Sequence, residues 1–211
     1  MSENKWEKRI AYLGPEASFT YLAAKGLYPH DWHIPYKSIP ECIEAVSEGK
    51  VELAVVPVEN ALEGSVPLTI DYLYHEAELF VTAEVMSKIQ QHLLVNKKFA
   101  ENLDVLEEIY SHPHALAQCH KFLFYTHGSV KQTPYASTAA AAELVSQTED
   151  RCIAAVANLS AAEKYNLHIA EHNIHDFHFN HTRFFVLSKQ NIKHGLVPLQ
   201  SQPKTTFMLT L

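Results

Sequence analysis

Leu53-Ala54-Val55-Val56-Pro57-Val58 runs directly into Glu59-Asn60-Ala61-Leu62-Glu63-Gly64-Ser65, and an apolar helical run follows from Val66 to about His75. The first six residues are short, apolar and rich in β-branched side chains, which predicts a buried strand. The polar residues would then be delivered at its C-terminal end. The same order recurs on both sides. Toward the N-terminus, Ile10 to Leu13 reads as a strand ended by Gly14-Pro15, with Ser18-Phe19-Thr20 opening a helix. His33 to Tyr36 is a weaker strand, and Ser38-Ile39-Pro40-Glu41 forms a capping box before a helix that runs to about Gly49. Toward the C-terminus, Leu106 to Tyr110 leads into Ser111-His112-Pro113, where Ser111 is the expected N-cap. Ser129 to Thr133 leads into a helix entered through Ser137 and Thr138, and Cys152 to Ala157 leads into one from about Asn158. Between the halves, Leu79 to Val95 alternates like one or two long strands that could cross between lobes. This repeated strand-to-helix grammar predicts an α/β fold with a mostly parallel sheet in each of two lobes.

The chain has 211 residues, 47% hydrophobic and 19% charged, enough for a sizeable core in one domain or in two lobes. Its formal charge of −7 comes from 24 acids against 17 bases, without a Lys/Arg-rich run to track a phosphate backbone, so nucleic acid is not expected as a partner. An anion would have to be held by helix N-termini and one or two arginines rather than by the overall field. Cys42, Cys119 and Cys152 are odd in number and in no CxxC pattern, which suits reduced core thiols in a cytoplasmic protein. Met1 to Arg9 is not apolar like a signal peptide, and no run reaches the ~18 apolar residues that cross a bilayer, so no membrane partner is expected.

Four junctions carry hydroxyls or amides: Ser18/Thr20, Asn60/Ser65, Ser111 and Ser137/Thr138. Each alone could be an N-cap that stabilises its helix by ~1 kcal/mol. Together with Arg183, which stands in Asn180-His181-Thr182-Arg183 before the strand Phe184-Phe185-Val186-Leu187, they suggest a site for a small anion. A carboxylate fits better than a triphosphate, because neither GxxxxGK[ST] nor GxGxxG occurs. No GxSxG is present, and Glu59 and Glu63, four apart, fit a solvated helix edge as well as acid–base work. His172, His175, His178 and His181 recur every three residues, with His168, Glu171 and Asp176 nearby. That spacing shares no single face of a helix or a strand, so a polar loop is expected and no metal.

Five ordered motifs, Gly14-Pro15-Glu16-Ala17-Ser18-Phe19-Thr20, Val58 to Ser65, Ser111 to Cys119, Ser137-Thr138-Ala139-Ala140 and Asn180-His181-Thr182-Arg183-Phe184, resemble those of prephenate dehydratase from Ile10 to Ser188. The resemblance implies a two-lobed α/β fold like the type II periplasmic binding proteins, with the active site in the interlobe cleft. Lobe 1 would take residues 1–80 and 178–200, lobe 2 residues 81–177, and residues 201–211 would be a linker and the first strand of a truncated ACT domain. It further implies a carbon–oxygen lyase that converts prephenate to phenylpyruvate, water and carbon dioxide on the route to phenylalanine, without a cofactor. A homo-oligomer, dimer or tetramer, is expected, with phenylalanine as effector only where the ACT domain is complete. From a different class, a non-catalytic binding protein for a small carboxylate metabolite is the alternative.

Carried over by position, Thr182 corresponds to the family's essential threonine and Arg183 to its substrate-binding arginine, expected on the pyruvyl carboxylate. Phe184 would wall the pocket, and Asn60, Ser111, Gln118, Ser137 and Thr138 would line it, with Ser18 and Asn180 among its walls. Two departures stand out. Ala17 replaces the usual glycine, so the first loop is expected to avoid a positive φ there, and His114 replaces a common glutamine.

Overall fold

The computed structural model describes residues 7–190. The chain opens with β1 (Arg9–Leu13), α1 (Phe19–Leu27), β2 (Trp32–Tyr36), α2 (Ile39–Ser47), β3 (Leu53–Asn60), the two-residue β4 (Gly64–Ser65), α3 (Pro67–His75) and β5 (Phe80–Lys88). It continues through β6 (His92–Val95), β7 (Glu108–Ser111), α4 (Pro113–Gln118), α5 (His120–His127), β8 (Lys131–Pro134), α6 (Thr138–Gln147), β9 (Ile153–Ala157), α7 (Leu159–Lys164), β10 (His168–Glu171) and β11 (His181–Ser188).

These residues fall into two compact units. The first takes residues 7–13, Ala23–Met86 and 182–190, and the second takes Gly14–Leu22 and Ser87–His181. The change-over therefore lies a few residues beyond the boundaries read from the sequence, and the segment holding Ser18 goes with the second unit. Local bonds account for that: the Asn158 amide donates to the Ala17 carbonyl at 2.8 Å, and Lys164 pairs with Glu16.

In the first unit the sheet order is β2-β1-β3-β11-β5, with β4 on β3. β2, β1 and β3 are parallel, and β11 returns antiparallel to β3. Ala54, Val56, Val58, Phe185 and Leu187 meet Ile43 and Val46 of α2 on one face of this sheet. α2 starts where its sequence says: the Ser38 hydroxyl accepts from the Glu41 N–H, with Pro40 in the first turn. The Glu41 carboxylate reaches back to the Lys37 N–H, one residue beyond the Ser38 N–H that a capping box would use.

The second unit has the order β10-β6-β9-β7-β8. β9, β7 and β8 are parallel, whereas β6 and β10 are antiparallel additions. Both sheets are thus mixed rather than mostly parallel, since only the strands linked through helical crossovers run together. β10 leaves little mark on the sequence, because four residues with a half-exposed pattern carry little periodic signal. Cys42, Cys119 and Cys152 are free and buried, as their apolar neighbours suggest. Lys204 to Leu211, where the ACT-domain strand is expected, lies outside the described residues.

Candidate active site

The pairing of β3 with β11 contains a β-bulge. Arg183 faces Glu59, but the next residue, Phe184, faces Pro57, so Val58 is the extra residue. β3 is a central strand, and Pro57 has no N–H to give to a ladder, which makes a bulge beside it the physical expectation. The Val58 carbonyl is satisfied instead by the Val66 N–H at 2.7 Å, and the Pro57 carbonyl by the buried Thr69 hydroxyl at 2.7 Å.

One extra residue exchanges the two faces for every later residue of the strand. Simple alternation from Val56 and Val58 would place Asn60 on the α2 face. With the bulge, Glu59 takes that face beside Arg183, and Asn60 turns to the other, where its Nδ2 donates to Thr182 Oγ1 at 2.9 Å. The orientation of the Asn60 amide is set by its own loop: Oδ1 accepts the N–H groups of Leu62 at 2.9 Å and Glu63 at 3.3 Å, which only an oxygen can do. Its nitrogen therefore faces Thr182, whose oxygen acts as acceptor and whose hydroxyl hydrogen points elsewhere. Phe184, on the same face as Thr182, is 1% exposed and gives the strand a rigid base.

Arg183 lies on the opposite face. Its Nη2 is 2.9 Å from Glu59 Oε2, its Nη1 is 3.8 Å from Glu84 Oε2 on β5, and its guanidinium stacks 5.5 Å from the Phe185 ring centre. Nothing local in the sequence marks Glu84 as a neighbour of residue 183, so sequence reasoning misses it. Glu59 and Glu63 do not share a helix edge: the first is the penultimate residue of β3 and the second lies in the turn before β4.

The second unit treats its polar residues differently. Ser111 is not an N-cap; it is the last residue of β7, is fully buried, and its hydroxyl donates to the Val156 carbonyl at 2.6 Å. His112 caps α4 in its place, Nδ1 accepting the His114 N–H at 3.3 Å. Ser137 caps α6 by accepting the Ala140 N–H at 3.0 Å, with Thr138 buried in the first turn, and Ser18 accepts the Tyr21 N–H at 3.2 Å. Gln118 and Asn180 meet side chain to side chain, Asn180 Nδ2 donating to Gln118 Oε1 at 3.0 Å. Ala17 adopts φ 65°, contrary to the expectation that its loop avoids such a conformation. Its methyl packs in the core with Ala157 and Ala161, and the Asn158 bond to its carbonyl holds it there.

His172, His175 and His178 lie in the loop between β10 and β11, and His181 opens β11. His92 Nδ1 accepts the Asn173 N–H at 3.2 Å, and His175 Nδ1 accepts the Gln91 N–H at 3.4 Å. Both rings therefore act as neutral acceptors. Burial holds both below the ordinary imidazole pKa, reinforced by His172 and His175 around His92 and by His178 beside His175. Among the described residues, no three His, Cys, Asp or Glu side chains stand together as a metal site would require.

The family model described as prephenate dehydratase matches residues 10–192. A prephenate dehydratase of Bacillus subtilis (strain 168) is 47% identical over 206 residues, covering 96% of this chain and 72% of its own. A prephenate dehydratase from Arthrobacter aurescens, solved in complex with L-Phe, superposes with a TM-score of 0.78 at 27% identity, covering 94% of this chain and 63% of its own. GqqA, described as a novel type of quorum quenching acylase, superposes with a TM-score of 0.74 at 32% identity, over 86% of this chain and 64% of its own. The chain thus spans less than two thirds of the length of these two solved proteins.

Proposed function

The chain belongs to the prephenate dehydratase family, and from that membership we propose that it acts as a carbon–oxygen lyase, converting prephenate to phenylpyruvate, carbon dioxide and water. In this reaction the ring carboxylate leaves as carbon dioxide, and its bonding pair enters the ring. The ring becomes aromatic as the C–O bond to the hydroxyl breaks, and the departing hydroxide takes a proton to become water. The electrons released by one bond are accepted by the other, so the chemistry needs no electron-sink cofactor. What the protein must supply is orientation and help for the leaving oxygen.

The observation that carries this reading is the bond from Asn60 to Thr182. A threonine hydroxyl that already accepts from a fixed amide has its hydrogen left to donate. As negative charge grows on the departing oxygen, a hydrogen bond from Thr182 strengthens, and so favours the transition state over bound substrate. Threonine is a weak acid, so the proton itself comes by way of water.

Assembly as a homo-oligomer belongs to the same reading, supported by Phe80, Val81 and Met86, which stand exposed along β5 at the end of its sheet. Residence in the cytoplasm is supported by three cysteines that remain free. Among the described residues, no helix is long and apolar enough to cross a membrane.

Incubation with prephenate, followed by phenylpyruvate absorbance, tests the activity and separates it from simple binding. Thr182→Ala is expected to lower kcat by roughly 10²–10³, the usual cost of losing one preorganised donor, with little change in KM. Near-normal turnover in that variant would remove Thr182 from the chemistry.

A further inference from the structure

Beyond the Val58 bulge only two pairs remain between β3 and β11, Arg183 with Glu59 and Thr182 with Asn60. A bulge is where a strand pair can most easily shift register, and Thr182 lies only two residues past it. The two pairs are held on opposite faces, one by an amide–hydroxyl bond and the other by an ion pair. Arg183 also leans across to Glu84, so its side chain links the strand on either side of β11. Its Nε is buried and makes no hydrogen bond among the described residues, which leaves the two Nη groups to hold the guanidinium.

The position of Arg183 in the motif would put it on the substrate carboxylate. The geometry does not favour that role. Successive residues of a strand point to opposite faces, and Arg183 shares its face with Phe185 and Glu59, not with Thr182. A substrate carboxylate reaching Arg183 would have to displace Glu59 at 2.9 Å and overcome the repulsion of two neighbouring acids.

We propose that Arg183, with Glu59 and Glu84, is a positioning residue: it fixes the register of β11 beyond the bulge, and through the strand it fixes the aim of the Thr182 hydroxyl. This rests on Thr182 acting on the leaving oxygen. Arg183 need not touch the substrate. The effect is moderate, because the pair is partly exposed, with side-chain exposures of 33% for Arg183 and 50% for Glu59.

Steady-state kinetics with prephenate on the whole chain test this, using Arg183→Gln, Glu59→Gln, Glu84→Gln and the double variant Glu59→Gln/Arg183→Gln, each compared by thermal melting. Arg183→Gln is expected to lower kcat about tenfold with KM within about twofold, since a small loss of aim costs turnover and not affinity. Glu59→Gln should lower kcat in the same direction, and the double variant should be no worse than Arg183→Gln, as partners in one interaction are not additive. Arg183→Lys, which keeps the charge facing Glu59, should recover most of the loss. A rise in KM of tenfold or more in Arg183→Gln, with Glu59→Gln neutral or tighter, would overturn the proposal and return Arg183 to the substrate. If Arg183→Gln does not fold, the acid variants decide: normal kcat in both Glu59→Gln and Glu84→Gln refutes it. Normal turnover of Thr182→Ala would instead sink the underlying reading, whatever these variants do.

Discussion

At the end of β3, the Asn60 amide is turned by two N–H groups of its own loop so that its nitrogen reaches the hydroxyl of Thr182 on the next strand. At the end of β7, the Ser111 hydroxyl is spent on the carbonyl of Val156, and nothing of it reaches the surface. Both are polar residues at the C-terminal end of a strand in an α/β sheet. They differ in what is left over: Asn60 gives its amide N–H to Thr182 and leaves that hydroxyl with a hydrogen to give, whereas Ser111 has already given its hydrogen to the backbone of its own unit. A hydroxyl at a strand end is thus evidence of a site only when its hydrogen-bond accounting leaves a donor or acceptor unspent.

The contrast can be broken at either end. At the first end, Asn60→Ala should lower kcat about ten- to a hundredfold, less than removal of the Thr182 hydroxyl itself, because Thr182 keeps its hydroxyl but loses the group that aims it. A variant that binds prephenate poorly yet turns over normally would make Asn60 a substrate contact instead. Ser111→Ala should act on stability, costing about 1–3 kcal/mol as a buried carbonyl loses its donor, with KM unchanged. Thermal melting and a KM measurement on the same sample check both halves, and a raised KM at normal stability would put Ser111 in the site.

Ala17→Gly should have the smallest effect. Glycine relieves a left-handed backbone that costs an L-residue roughly 1–2 kcal/mol. It also gives up a buried methyl, about 0.8 kcal/mol, and adds about 0.4–1 kcal/mol of unfolded-state entropy. These terms nearly cancel, so denaturant melting should show a change within about 1 kcal/mol. A loss of more than about 2 kcal/mol would mean that the packing of the Ala17 methyl outweighs the strain.

Much of the fold is written locally. Ser38, Ser137 and Asn158 cap the helices they precede because a short polar side chain, placed just before an apolar helical run, finds the free N–H groups within three residues. Strands such as Ile153–Ala157 show as short apolar runs for the same local reason. Ser111 misleads because its partner, Val156, is 45 residues away on β9, and no local pattern signals that a carbonyl there needs a donor. Glu84 is invisible as a partner of Arg183 for the same cause.

Sequence alone determined two α/β units, the caps of α2 and α6 and the five motifs that mark the family. It brought Asn60, Thr182 and Arg183 together as candidates without saying which would meet. That was decided by one unpaired residue, Val58: Pro57 cannot join the ladder, the strand gains a residue, and the faces of Glu59 and Asn60 are exchanged. Side chains alternate every residue along a strand, so a single shift in pairing, which only the neighbouring strand can set, chooses whether Thr182 meets an amide or an acid.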